Sequence, residues 1–120
     1  DRYKIPTLKR TTIEITRNKK VIPNREEKAE EIVKEVCSFF SVDRKRLHTN
    51  YRGHDYVHAR QIIWALWYMH LGFYLTRIGE RFDRDHTTII HGIRQVKNFI
   101  ETGDYIGECF FEIERRVFQN

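Results

Sequence analysis

Residues 75–101 read LTRIGERFDRDHTTIIHGIRQVKNFIE, and this stretch decides the fold. The spacing of its apolar side chains predicts a short helix over 75–82 and, after two turn residues, a longer helix over 85–101. The apolar stripe of the longer helix runs at steps of four, three and four residues through Ile89, Ile93, Val96 and Ile100. A short helix, a tight turn and a longer helix with a polar outer face form a helix-turn-helix.

The first turn of the longer helix carries four polar side chains in succession, Asp85, His86, Thr87 and Thr88. In helix-turn-helix proteins the second helix enters the major groove of DNA by its N-terminal end. Hydroxyl and imidazole groups at that end can reach base edges, and a threonine methyl can pack on a thymine methyl. A helix cap alone would account for Asp85 but not for the three residues after it. The sequence therefore predicts that this turn reads bases in duplex DNA.

The rest of the chain predicts further helices around this unit. Apolar residues at three- and four-residue spacing indicate helices over 25–40, 57–71 and 105–118. Both prolines precede residue 25, so no proline interrupts the helices after it. We therefore expect an all-α bundle of about five helices, in one domain over residues 25–120.

The first 24 residues differ in composition from the rest, with seven basic and two acidic side chains. Residues 11–16 alternate between polar and apolar side chains, as strands do, and a turn could return the chain through Val21 and Ile22. A basic arm and a short hairpin remain alternatives for residues 1–24.

The formal charge of +5 is unevenly distributed along the chain. Residues 41–100 contain ten basic and five acidic side chains, whereas the helices predicted on either side of this region are acidic. A basic centre of this kind is typical of a protein that presents one face to a polyanion. Beside a helix-turn-helix, basic loop residues can hold phosphates or enter a narrow minor groove. The candidates are Arg44, Lys45, Arg46, Arg52 and Arg60.

The sequence offers no enzymatic site. It has no serine-histidine-aspartate order around a nucleophile and no paired carboxylates in an apolar setting. None of the six glycines is followed by lysine, so the phosphate-binding loop of an ATPase is missing. We expect a non-enzymatic chain that binds no nucleotide and needs no cofactor.

The histidines and cysteines are the candidates for metal ligands and for a disulfide. His54 and His58 are four residues apart, but no acidic or cysteine ligand is in register with them, so we expect no metal. Cys37 and Cys109 are expected to be free thiols in a reducing cytoplasm rather than a disulfide. No apolar run approaches the roughly 20 residues of a membrane helix, and no signal-peptide pattern opens the chain. The expected location is the cytoplasm, in association with the nucleoid.

Aromatic side chains at Trp64, Trp67, Phe73 and Tyr74 could stack on nucleobases, as single-strand binders require. Their helical spacing is more typical of core positions, and we expect them to be buried.

Three elements of the sequence are Ala59-Arg60-Gln61, Leu75-x-x-Ile78-Gly79-x-x-Phe82 and Arg84-Asp85-His86-Thr87-Thr88-Ile89-x-His91. Together they resemble the carboxy-terminal domain of DnaA, the bacterial chromosomal replication initiator. The resemblance covers about residues 31–117, and its Arg-Asp-His-Thr-Thr element is highly specific. It implies sequence-specific binding to duplex boxes similar to the DnaA box of replication origins.

The resemblance also implies roles for individual residues. The helix start from Asp85 to Thr88 reads bases in the major groove, and Arg52 enters the adjacent minor groove. Arg60 is similar to a phosphate-binding residue of the family. Further phosphate contacts are expected from basic residues on the loop, the turn and the longer helix: Arg44, Lys45, Arg46, Arg84, Arg94 and Lys97.

One departure from the family falls beside the reading residues. Only Asp83 separates Phe82 from Arg84, where the family usually has two residues, commonly glycines. A tighter, charged turn would tilt the longer helix. Two alternatives therefore stay open: a standalone transcriptional, plasmid or phage regulator, and a protein-interaction module that no longer reads DNA. Other replication or regulatory proteins are possible partners in each case.

Overall fold

The computed structural model describes residues 14–119, which form six α-helices and no β-strand. The helices are α1 (Arg25–Phe40), α2 (Arg44–Leu47), α3 (His54–Met69), α4 (Leu75–Phe82), α5 (His86–Glu101) and α6 (Tyr105–Phe118). The predicted all-α bundle with a helix-turn-helix is confirmed. The helix beyond the expected five is α2, a single turn in the basic loop.

Helix α3 is the central element of the bundle. Its buried apolar side chains are Ala59, Ile62, Ile63, Trp64, Ala65, Leu66 and Trp67. A helix that is apolar on all sides is stable only where neighbours cover each face, and α1 and α5 pack against it. The indole Nε1 of Trp67 donates a hydrogen bond to the Ala29 carbonyl at 3.3 Å, which joins α3 to α1. Helix α3 is thus the platform on which the helix-turn-helix rests.

Most of the aromatic residues that could stack on nucleobases belong to the core. Trp64, Trp67 and Phe73 are at most 4% exposed, which confirms the expectation for these three. Tyr74 is the exception at 63% exposed, and the Arg17 guanidinium lies 4.4 Å from the centre of its ring. Most of the aromatic surface therefore holds the helices together.

Residues 14–24 cross the end of α3 without forming a strand. The Asn18 backbone N–H donates to the Tyr68 carbonyl at 3.1 Å, and its side-chain amide donates to the His70 carbonyl at 2.8 Å. Gly72 adopts a left-handed φ of 73°, and a Cβ there would lie 2.3 Å from the Asn18 carbonyl oxygen. This segment satisfies carbonyls at the end of α3. The other residues for which an arm and a hairpin were alternatives lie outside the described part.

Several acidic side chains form surface ion pairs with arginines of neighbouring elements or of their own helix. Glu26 on α1 accepts a hydrogen bond from Arg81 on α4 at 3.0 Å. On α6, the guanidinium groups of Arg115 and Arg116 lower the pKa of Glu112 to about 2. Part of the positive charge on α4 and α6 is therefore neutralised by these helices and by α1.

The histidine pair and the cysteines show no closed site. The rings of His54 and His58 are 6.4 Å apart, and no group of three possible metal ligands occurs among residues 14–119. Cys37 and Cys109 are free, and burial raises the pKa of both thiols. Within the same residues, no helix is long and apolar enough to cross a membrane.

Candidate nucleic-acid interface

The turn between α4 and α5 crosses directly over Gly79. The Arg84 backbone N–H donates to the Gly79 carbonyl at 2.8 Å. A Cβ on Gly79 would lie 2.4 Å from the Arg84 carbonyl oxygen, so only glycine leaves room for this crossing. Asp83 makes the reversal with a left-handed backbone, at φ 54° and ψ 48°. The predicted tight turn is present: three residues separate α4 from α5, and of these only Asp83 has a left-handed backbone.

The left-handed conformation of Asp83 predicts an effect on stability. Left-handed backbone is costly for residues with a Cβ and free of that cost for glycine. We expect Asp83→Gly to raise the free energy of unfolding by about 0.5–1 kcal/mol. Asp83→Val should lower it by about 1–2 kcal/mol, because a β-branched side chain tolerates this region poorly. Urea denaturation of both variants measures the change in the free energy of unfolding. A glycine variant less stable than the parent would show that the backbone of Asp83 is not strained.

The four predicted base-reading residues share one exposed surface at the start of α5. Asp85 is the N-cap residue, and all four side chains from Asp85 to Thr88 are solvent-exposed. A hydrogen bond from the Thr87 hydroxyl lowers the pKa of the Asp85 carboxyl. His86 Nδ1 lies 3.4 Å from the same carboxylate. Because Ile89 is buried immediately after them, the helix cannot rotate without exposing its apolar stripe.

The outer face of α5 continues this polar surface along the helix. His91 and Arg94 are exposed one and two turns beyond Thr87. The opposite side is buried against α3, where a Cβ on Gly92 would lie 2.6 Å from the ring of Trp64. This close approach seats α5 on α3 with its polar face outward.

Arg60 lies in the protein interior, although it was expected to face phosphates. It is 4% exposed. Its Nε donates to the Leu47 carbonyl at 2.7 Å, and its Nη2 donates to the carbonyls of Thr49 at 2.9 Å and Arg46 at 3.2 Å. Burial lowers the pKa of this guanidinium. Arg60 therefore fixes the end of α2, and only Nη1 has no hydrogen bond to a described residue.

Arg84 joins the turn of the helix-turn-helix to the basic loop. Its Nη1 donates to the Phe82 carbonyl at 2.8 Å, and its Nη2 donates to the Thr49 carbonyl at 2.7 Å. Beside this bridge, the ring of His48 packs 4.6 Å from the ring of Phe82, and burial lowers the pKa of the imidazole. The loop that carries Arg52 is thus attached to the end of α4.

An open cleft of about 680 Å³ lies between the loop and α5. Its lining residues include Arg52, Arg60, Gln61, Trp64, Arg84, Thr88, His91 and Gln95. Two buried polar atoms among them, Gln61 Oε1 and Trp64 Nε1, have no hydrogen-bond partner in the described residues. The fold brings three arginines and the start of α5 to one cleft. The two buried atoms without a hydrogen-bond partner belong to residues that line it.

The other predicted phosphate-binding residues differ in how far the fold engages them. Arg44 pairs with Glu30, the Arg46 guanidinium lies 4.6 Å from the centre of the Tyr51 ring, and Lys97 is 3.6 Å from Glu101. The side chains of Arg52, Lys45 and Arg94 make no hydrogen bond or ion pair with residues 14–119, and all three are exposed. Sequence reasoning did not separate these groups, because only the packing shows which cation meets a carboxylate or a ring. The partner of Arg44 lies 14 residues away, whereas those of Arg46 and Lys97 lie five and four residues away.

Comparisons with known proteins agree with this arrangement. The profile of a family described as "Bacterial dnaA protein helix-turn-helix" matches residues 29–96, more than half of the chain. A chromosomal replication initiator protein DnaA from Thermoanaerobacter sp. (strain X514) is 28% identical over 101 residues, which is 82% of this chain. The DnaA protein of Wolbachia sp. subsp. Brugia malayi (strain TRS) is 34% identical over 92 residues, 74% of this chain. The chain spans 23% and 19% of the length of these two relatives.

Proposed function

Because the chain belongs to the bacterial DnaA helix-turn-helix family, a family of DNA-binding domains, we propose that it binds duplex DNA at a specific sequence similar to the DnaA box. The observation that carries the proposal is the exposed row from Asp85 to Thr88 at the free end of α5. A helix N-terminus offers unpaired N–H groups and a positive dipole to a nearby phosphate. The same end can bring its short polar side chains to base edges.

The cleft beside α5 supports a contact with two adjacent grooves. In the proposed complex α5 lies in the major groove and Arg52 in the neighbouring minor groove. The DNA strand that separates these grooves would then pass over the cleft. The arginines at its walls favour an anionic backbone there. Arg60 Nη1 has no hydrogen-bond partner among the described residues and would donate to a phosphate of this strand.

Phosphate contacts along the rest of the surface are proposed from the cations that the fold leaves accessible. Lys45 and Arg94 are exposed without a partner among residues 14–119. Arg46 and Lys97 lie near the same surface and would also contact phosphates. Arg44 could do so only after its ion pair with Glu30 breaks. Each phosphate neutralised steepens the salt dependence of binding by about one counterion.

We propose a non-enzymatic role for the domain in replication initiation, in the cytoplasm at the nucleoid. Its relatives carry the name of chromosomal replication initiator. No cofactor or metal takes part in the proposed binding, since side chains and the N–H groups at the start of α5 supply every contact. A role as a transcriptional, plasmid or phage regulator would use the same surface and differ only in where its sites lie.

Selection from a random duplex pool at near-physiological salt tests the proposal. We expect one enriched motif. Thr87→Ala should weaken binding to that motif by about 1–3 kcal/mol and leave binding to a scrambled duplex nearly unchanged. Ser38→Ala, which removes an exposed hydroxyl from α1, is the matched control and should have no effect. Failure of the parent chain to enrich any motif would favour the protein-interaction module instead.

A further inference from the structure

We propose that Arg84 is a positioning residue that holds the Arg52 loop at a fixed distance from α5. The two elements would then meet their adjacent grooves as one rigid unit. This inference rests on the proposed function, since it concerns how the two DNA-reading elements are held together. It assigns to Arg84 a task that differs from the phosphate contact expected from the sequence.

The Thr49 carbonyl is the point at which the loop is held. It accepts hydrogen bonds from Arg60 Nη2 at 2.9 Å and from Arg84 Nη2 at 2.7 Å. A carbonyl oxygen has two lone pairs, so these two guanidinium groups use its full capacity. One donor comes from α3 and the other from the turn before α5. The Thr49 carbonyl is therefore hydrogen-bonded both to α3 and to the turn between α4 and α5.

The loop beyond Thr49 has few other hydrogen bonds, and the Tyr51 ring packs 4.9 Å from the Tyr56 ring and 4.6 Å from the Arg46 guanidinium. Among the described residues, the only main-chain hydrogen bond of residues 50–52 runs from the Tyr51 N–H to the Thr49 hydroxyl at 3.1 Å. That hydroxyl donates to the Arg46 carbonyl at 2.7 Å. Arg52 is exposed and lies three residues beyond the held carbonyl. Its position consequently depends on how firmly Thr49 is held.

The other end of Arg84 is fixed by the turn itself. Its backbone N–H donates to the Gly79 carbonyl at 2.8 Å, and its Nη1 donates to the Phe82 carbonyl at 2.8 Å. A guanidinium is planar and presents its donors in a rigid fork, so the Phe82 and Thr49 carbonyls are held at a set separation. Lysine has the same charge but presents its donors from a single nitrogen, so it does not hold the two carbonyls at a set separation.

A double-mutant cycle between Arg84→Lys and Arg52→Ala tests the coupling on the selected duplex. We expect Arg84→Lys to weaken binding about tenfold in the parent chain, because the loop loses its hold on the turn. In the Arg52→Ala background the same change should cost less than about threefold, since no Arg52 remains to be positioned. Equal losses in both backgrounds would mean that Arg84 acts as an independent DNA contact, and would overturn the inference. Arg94→Lys is the matched control and should be additive with Arg52→Ala.

A measurement without DNA separates this inference from the proposed function. We expect hydrogen exchange of the Tyr51 amide to rise at least about fivefold in Arg84→Lys, with the urea midpoint of the whole domain little changed. An unchanged exchange rate would overturn the positioning role, even if the parent chain selects a motif. Failure of the parent chain to select any motif would instead count against the proposed function, and the exchange rate would still decide whether Arg84 holds the loop.

Discussion

We expect Gly79→Ala to abolish selective DNA binding and to lower the free energy of unfolding by about 2–4 kcal/mol. The added Cβ would lie 2.4 Å from the Arg84 carbonyl oxygen, which is a main-chain atom and cannot swing aside. The turn must then open, and the hydrogen bond from the Arg84 N–H to the Gly79 carbonyl is weakened. Because this turn sets the angle between α4 and α5, we expect the start of α5 to move away from its place on α3.

Gly103→Ala is the matched control for this prediction. Gly103 has a left-handed φ of 73°, but nothing lies within 4 Å of a Cβ built there. Alanine should therefore add only backbone strain, about 1 kcal/mol, at the far end of α5. Urea denaturation gives the stabilities, and titration of the selected and scrambled duplexes gives the binding. A Gly79→Ala variant that kept full selectivity would show that the turn tolerates opening.

Arg60→Ala is expected to lower the free energy of unfolding by about 2–4 kcal/mol. The substitution removes the donors of three hydrogen bonds to the carbonyls of Arg46, Leu47 and Thr49, and leaves a void between α2 and α3. DNA binding should fall as well, because the loop that carries Arg52 loses one of its two holds on Thr49. Arg60→Lys should restore little, since an ammonium group cannot reach three carbonyls in a planar arrangement.

Arg94→Ala separates this structural role from a simple loss of charge. Arg94 is exposed and has no partner in residues 14–119, so its removal should change stability by less than about 0.5 kcal/mol. Its binding loss should appear on all duplexes, with a salt dependence that is shallower by about one. If Arg60→Ala behaved in the same way and left the unfolding free energy unchanged, Arg60 would be a phosphate ligand alone.

The sequence predicted the helices well where the pattern of apolar residues is local. Helices α1, α4 and α6 have the predicted bounds, and α5 begins one residue after its predicted start. Helix α2 was missed because it is one turn long and has a single buried apolar residue, Leu47. Helix α3 begins at His54, three residues before the predicted start, since its first turn is polar and gives no periodic signal.

The exposure of the candidate base-reading residues could likewise be predicted from the sequence. Exposure of the row from Asp85 to Thr88 follows from the register of α5, because burial of Ile89 and Ile93 leaves the other side of the helix to solvent. Their roles in base recognition stay a prediction until binding is measured. The phosphate contacts were harder to assign, since seven basic residues looked alike in the sequence.

What the sequence by itself determined about this protein is therefore the five longer helices, the register of each and the family. Helical periodicity repeats every three to four residues, so neighbouring residues are enough to specify it. Only the tertiary structure decided that Arg60 is buried under α2, that Arg44 pairs with Glu30 and that Arg84 bridges to Thr49. A long charged side chain takes whichever carbonyl or carboxylate the packing brings within reach, and those partners lie 11 to 35 residues away along the chain.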